Sequence, residues 1–303
     1  APTVVRTLVL SKPGRLGSSW QRTQKLSYGR DDARLGTSPG GENVAWGPGY
    51  GAQVPDRTWW YADAAKKRLA HYDDSGRYLG QVKLPKKYLA QGQYFQWADP
   101  MALADGSVVL TSTTIDSPAL LRLTPSRQLK TVSMARYVHL VIGDGTSLYG
   151  FDAKGKRVRV NPLTGKITTV KAFKGQGGRR FTLAAAAGHL LLTRPGVNLR
   201  FDLTDADHPS LLVHPSVEAA MSSSGKLWIL VTGIVEVTPE AAHDVIGIFW
   251  VDADGNSSPA RRVRTPTSDS DPGDGKHLGI RHGSSRPTLT FIDTDAVRTY
   301  RKN

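Results

Sequence analysis

Gly41-Glu42-Asn43-Val44-Ala45-Trp46, Trp59-Trp60-Tyr61-Ala62-Asp63, Lys67-Arg68-Leu69-Ala70-His71-Tyr72-Asp73 and Gly80-Gln81-Val82-Lys83-Leu84 are four short apolar-rich runs separated by turns. Each run has the length of a strand, and the Gly, Pro and Asp residues between them are turn formers. Weaker copies of the same pattern begin near residues 99, 138, 181, 218 and 276. Self-similarity at a period of ~20–50 residues marks a repeat architecture, and four strands per repeat point to a propeller. The expectation is an all-β, six-bladed β-propeller forming a single domain over 1–303. Its blades would span 42–98, 99–137, 138–180, 181–217, 218–275 and 276–303. Asp105-Gly106 and Asp144-Gly145 sit between apolar runs, a strong hairpin signal.

The last copy contains only three strand-like runs, at 276–281, 288–293 and 296–301. A fourth is available at the other end of the chain, Val4-Val5-Arg6-Thr7-Leu8-Val9-Leu10. Residues 1–10 are therefore expected to pair into the last blade and close the ring, which removes a pair of exposed edges. In the fifth copy, Thr232 to Gly247 reads as an unusually long piece between two strands.

The chain is 39% hydrophobic and 22% charged, which is enough apolar content for a full core. No run approaches the ~18 consecutive apolar residues of a membrane span. With no cysteine, disulfides, thiol catalysis and cysteine-ligated zinc are excluded. The start Ala1-Pro2-Thr3 without Met reads as a secreted bacterial protein after signal cleavage, although a cytoplasmic one fits the lack of cysteine almost as well. No P-loop, dinucleotide fingerprint or nucleophile elbow is present.

Lys+Arg 40 against Asp+Glu 26 leaves a net charge of +14, which favours contact with anionic polymers. Lys154, Lys156, Arg157, Arg159, Lys166, Lys171, Lys174, Arg179 and Arg180 fall in a segment without a single acid. One reading is that they guard exposed outer strands against edge-to-edge pairing. The other is a stripe on the third blade that binds an anionic polymer, a glycan or a protein partner, with Lys156, Arg157, Arg159, Arg179 and Arg180 in contact. Specific nucleic-acid binding is not expected, because the stripe lacks the interleaved aromatics on which bases stack.

Aligning the copies on their turns places Glu42, Asp99, Val138, Phe181, Glu218 and Lys276 just before the strands nearest the channel. Three carboxylates in a partly dehydrated funnel need a neutralising partner, either Lys276 or a metal ion. Glu42, Asp99 and Glu218 are the candidate ligands, and oxygen donors of this kind suit Ca²⁺, Mn²⁺ or Mg²⁺. Alternatively each acid accepts backbone amides at its own strand start, or touches substrate directly. Asp99, Lys276 and His277 are the candidate catalytic groups, His277 as a general base or as a structural histidine. Trp97, two residues before Asp99, would either stack on a sugar at the mouth or pack in the core.

The first copy also resembles a known family. Gly41-Glu42-Asn43-Val44-Ala45-Trp46, Trp60-Tyr61-Ala62-Asp63, Arg68, Tyr72-Asp73 and Gly76 are similar to the opening of the regucalcin/gluconolactonase group, a relative of the NHL-like six-bladed propellers. That resemblance, over about 40 residues, implies that Glu42 binds a divalent metal which polarises a lactone or ester carbonyl. It also implies that Asp99 lies near the substrate and that Glu218 stands in for a ligating Asp. Two functions follow: a secreted binding module for a glycan, anionic polymer or protein, or a metal-dependent lactone/ester hydrolase.

Overall fold

The computed structural model describes residues 2–10, 19–39, 45–46, 50–63, 65–85, 100–111, 118–186, 188–205, 213–238, 241–262, 276–292 and 296–303. Strands dominate, and they assemble mostly into four-stranded sheets of consecutive, propeller-like meanders. The first sheet contains Gly51–Gln53, Trp59–Asp63, Arg68–Tyr72 and Tyr78–Lys83. The second contains Met101–Ala102, Val108–Thr111, Ala119–Leu123 and Leu129–Ser133, and the third Val138–Gly143, Leu148–Asp152, Arg157–Val160 and Ile167–Thr169. Phe173–Lys174, Arg180–Ala186, His189–Arg194 and Val197–Asp205 make the fourth. Val213–Met221, Leu227–Thr238, Ala241–Val251 and Arg261–Arg262 make the fifth, and Lys276–Gly279, Thr288–Ile292 and Ala296–Lys302 begin the sixth.

One turn recurs through these meanders. At 103–107, Leu103 N donates to Ser107 O and Gly106 N donates back to Leu103 O; the same pair of bonds closes 73–77, 152–156, 222–226 and 252–256. The geometry is a three-residue hairpin loop whose last residue must be left-handed. Gly106 has φ +83°, and Gly76, Gly155, Gly225 and Gly255 are likewise positive. The turns at 54–58 and 124–128 use the same bonds with Arg57 and Arg127 in the left-handed position.

Sheet faces pack in sequence. Trp60 and Leu69 of the first sheet meet Val108 and Leu121 of the second, whose opposite face meets Val138 and Val158 of the third. Ile142, Phe181, Phe201, Ile229 and Phe249 join the third, fourth and fifth sheets, and Trp228 and Ile248 meet Leu289 and Phe291 of the sixth. The strand Trp59–Asp63 is buried along its whole length because its alternate residues serve two neighbours. Trp60 faces the second sheet, while Trp59 and Tyr61 meet Leu26 and Val297 beside the sixth.

Three expectations change. The fourth strand of the sixth sheet is Trp20–Ser27, antiparallel to Ala296–Lys302, and not residues 1–10. Thr3–Leu10 instead runs parallel to Val197–Asp205 on the outside of the fourth sheet. The choice follows from side-chain chemistry. Gln24 is buried and donates to Asp73 O (2.7 Å) while accepting from Tyr61 Oη (2.6 Å), and Tyr61 also lies 3.2 Å from Thr299 Oγ1. Nothing in Val4–Leu10 offers a buried amide for those groups.

Second, the strand opening the first sheet is Gly51–Gln53. Ala45–Trp46, expected there as part of 43–46, pairs with Ser38–Pro39 in a separate two-stranded sheet. Third, 232–247 is not a break: the strands Leu227–Thr238 and Ala241–Val251 pair out to Thr238↔Ala241, with one register shift between Glu236 and Thr238.

Candidate functional site

The strands that open the sheets converge on a cavity of about 100 Å³. Gly51, Met101, Ile142, Ala220 and Leu278 line it from the first, second, third, fifth and sixth sheets, and Gln176 reaches it from the fourth. That space holds several waters, whereas sites for drug-sized ligands are ~300 Å³ or more.

One end of the cavity is crossed by the turn after Lys276–Gly279. Arg281 Nη1 donates to Pro55 O at 3.1 Å. Gln176 Nε2 donates to Arg281 O at 3.3 Å, and Gly283 N donates to Gln176 Oε1 at 2.8 Å. Ser223 N donates to Ser284 O at 2.9 Å. The His282 ring lies so close to Gly145 that an added Cβ there would sit 2.6 Å from it. This single turn thus ties loops of the first, third, fourth and fifth sheets to the sixth.

At the cavity wall the structure joins two of the predicted groups. His277 Nδ1 lies 3.1 Å from Glu218 Oε2, and the Leu278 amide donates to the same oxygen at 2.7 Å. The Tyr50 ring stacks on His277 at 4.9 Å between centroids and 18° between planes. Glu218 therefore accepts a backbone amide from the adjacent sheet's opening strand, rather than from its own, and holds the imidazole in one orientation. Tyr50 was missed by sequence reasoning. It directly precedes Gly51–Gln53, the position assigned to Glu42 when Asn43–Trp46 was read as the opening strand.

The other aligned positions separate. Val138 and Phe181 are fully buried in the sheet-to-sheet core and do not reach a channel mouth. Lys276 pairs through its backbone with Phe291. Glu42, Trp97 and Asp99 lie outside the described residues. Among the described residues no three His, Asp or Glu side chains come together as metal ligands. Of the proposed oxygen ligands only Glu218 is described, and its Oε2 accepts the Leu278 amide.

The basic run divides between two sheets instead of lying on one. Lys156 is exposed in the 152–156 turn, and Arg157 and Arg159 alternate with the buried Val158 and Val160 of the third sheet. Arg179 and Arg180 stand exposed at the start of the second strand of the fourth sheet. Arg179 Nη1 donates to Ser223 O at 3.1 Å, so that side chain leans toward the fifth sheet. Lys154, Lys166 and Lys171 are also exposed, while Lys174 is half-buried. Among the described residues none of these nine basic groups is ion-paired with a carboxylate.

A family model described as "Domain of unknown function (DUF7485)" matches residues 18–302, and the chain belongs to that family. No curated protein matches it. Among solved structures, it is similar to virginiamycin B lyase from Staphylococcus aureus at 12% identity over 93% of this chain and 99% of that one, with a TM-score of 0.46. Regucalcin from Agrobacterium tumefaciens, described as a calcium-binding protein, is similar at 12% identity over 84% and 91%, with a TM-score of 0.47. The N-terminal domain of Nup159 is similar at 9% identity over 98% and 84%, with a TM-score of 0.49. At this level of identity and superposition, likeness carries no argument about activity. No helix among the described residues is long and apolar enough to cross a membrane.

Proposed function

We propose that the six sheets are the blades of a closed six-bladed propeller and that the protein is a binding module for a polymer bearing phosphate or carboxylate groups. The observation that carries this reading is the exposure of Lys154, Lys156, Arg159, Lys166, Lys171, Arg179 and Arg180 without a carboxylate partner among the described residues. Cations of this kind bind polyanions by releasing condensed counterions, with an affinity that falls steeply with salt. The narrow central cavity directs recognition of a polymer to the outer surface. An extracellular location suits such a ligand, because acidic glycans and phosphate polymers are abundant in cell envelopes.

The test is binding to immobilised heparin and polyphosphate in a salt gradient. Replacing Lys154, Lys156, Arg159, Lys166 and Arg180 together with Gln is expected to weaken binding at ~0.1 M salt about tenfold or more and to flatten its salt dependence. Unchanged elution of the variant would remove the proposal.

A second reading, a divalent-metal lactone or ester hydrolase with Glu42, Asp99 and Glu218 around the ion, has one observation in its favour. Glu218, His277 and Tyr50 meet beside the cavity. The Glu218 carboxylate would orient His277, and the imidazole would hold or pass a proton at the mouth. Glu218→Gln would then abolish hydrolysis of simple lactones and leave polymer binding intact; a Glu218→Gln protein that hydrolyses as the parent does excludes this reading.

A further inference from the structure

We infer that Thr3–Leu10 is a self-association strand, through which a second copy of this chain adds antiparallel to the fourth sheet. The argument starts from how the outer edges of the sheets are protected. A row of unpaired backbone donors and acceptors invites another strand, and proteins blunt such edges with Lys, Arg, Pro or a bulge. The outermost strand of the first sheet ends in Lys83, that of the second carries Lys130, and that of the third is flanked by Lys166 and Lys171. The fifth sheet ends on Arg261–Arg262. The sixth ends on Trp20–Ser27, which contains Arg22 and Lys25 and has a bulge between Arg22 and Gln24. Thr3–Leu10 differs from all five. It pairs over eight residues without a register shift and has no Pro, no Lys and a single Arg. That Arg6 is turned inward, its Nη1 donating to Ser257 Oγ at 3.0 Å.

Among the described residues the strand caps the only sheet that has a fifth member, and nothing pairs with its outer side. It also precedes the family match, which begins at residue 18. Leu8 anchors it in the core, while Val4, Val5 and Val9 are 48%, 58% and 51% exposed.

The exposed face names the occupant. Val5, Thr7 and Val9 project on one side and read the same in both directions about Thr7. A twofold axis perpendicular to a sheet keeps every side chain on its own face. An antiparallel copy centred on Thr7 therefore sets Val5 against the partner's Val9 and Thr7 against the partner's Thr7. Facing β-branched pairs are favourable, and like charges directly opposite are not. In this register Arg6 faces the partner's Leu8, so the strand brings two copies of a chain of net charge +14 together without opposing its own cations. The contact is isologous and closes at two copies. Its size makes it a weak, concentration-dependent dimer.

Sedimentation velocity on the full chain from about 1 μM to about 1 mM tests the inference. The parent is expected to shift from monomer to dimer. Val5→Lys with Val9→Lys places Lys against Lys twice and is expected to weaken the dimer about tenfold or more. Val5→Lys with Val9→Glu places opposite charges in the same register and is expected to restore it. Both positions are exposed, so circular dichroism and melting temperature should match the parent. Thr7→Cys, in a chain without other cysteines, should give a disulfide-linked dimer on mild oxidation. A parent that stays monomeric throughout, or a dimer that survives the double Lys substitution, overturns the inference.

Discussion

Between the sixth and first sheets, Arg68 and Arg301 are each bound to a carboxylate; between residues 154 and 180, Arg159 and Arg180 are exposed, with no carboxylate partner among the described residues. Arg68 Nε meets Asp63 Oδ2 at 2.8 Å, with the two side chains 2% and 0% exposed. Its remaining donors reach Gln81 Oε1 and the carbonyls of Asp32 and Arg34, fixing the segment that follows Trp20–Ser27 onto the first sheet. Arg301 makes a forked contact with Asp74, which also accepts from Gln53 Nε2 (2.8 Å) and Trp59 Nε1 (3.2 Å). The same residue type thus serves two purposes. A guanidinium whose donors are consumed by the fold is structural, whereas one left exposed in an acid-free segment remains free to meet an outside anion.

The contrast can be broken most severely at Arg68. Arg68→Ala strands the Asp63 carboxylate without its buried partner, and a loss of about 3–5 kcal/mol in urea unfolding is expected. A loss under about 1 kcal/mol would mean that the pair contributes little to the seam.

Asp74 sharpens the comparison through pH. Burial pushes its carboxyl up, but hydrogen bonds from Arg301 and Trp59 outweigh that and hold it below the ordinary value. A depressed folded-state value contributes stability above the unfolded value of ~3.9, and that contribution is lost as pH falls through the folded value. Asp74→Asn should cost about 1–3 kcal/mol at pH 7, and the gap to the parent should narrow below pH ~4. A gap that is constant across this range would contradict the ion-pair account.

Smaller effects are expected away from the seam. Deleting residues 1–10 removes the buried Leu8 and one edge pairing, for about 1–3 kcal/mol, and leaves the six four-stranded sheets standing. Removing Trp20–Ser27 instead should prevent cooperative unfolding altogether, since Leu26 and Gln24 belong to the contact between the sixth and first sheets. At the low end, Arg159→Gln and Arg180→Gln should each change stability by less than about 0.5 kcal/mol, because both side chains are exposed.

Much of the third sheet was legible beforehand. The period-two alternation of Val158 and Val160 with Arg157 and Arg159, and the Asp144-Gly145 turn, are local signals that need no distant partner. Gly51–Gln53 was not legible as an opening strand. It is short and small-residued, and only its pairing with Trp59–Tyr61 makes it one. Gly233 and Gly247 interrupt the alternation in the long hairpin, yet the backbone ladder runs through both. In the site, Glu218 and His277 stood out as residues but not as a pair, since 59 positions separate them and two different sheets carry them.

By itself the amino-acid sequence determined that the chain is a series of short antiparallel strands joined by tight turns. Those features depend on side-chain alternation and on left-handed turn positions within a few residues of each other. It also determined the acid-free basic segment, which is a matter of composition. Only the tertiary structure decided which N-terminal strand enters the sixth sheet, which residue precedes the first sheet's opening strand, and which side chains meet at the cavity. Those outcomes depend on buried polar groups such as Tyr61, Gln24 and Thr299 finding partners far away in the chain. An unsatisfied buried group costs more than any local strand preference can return, so distant partners settle the choice.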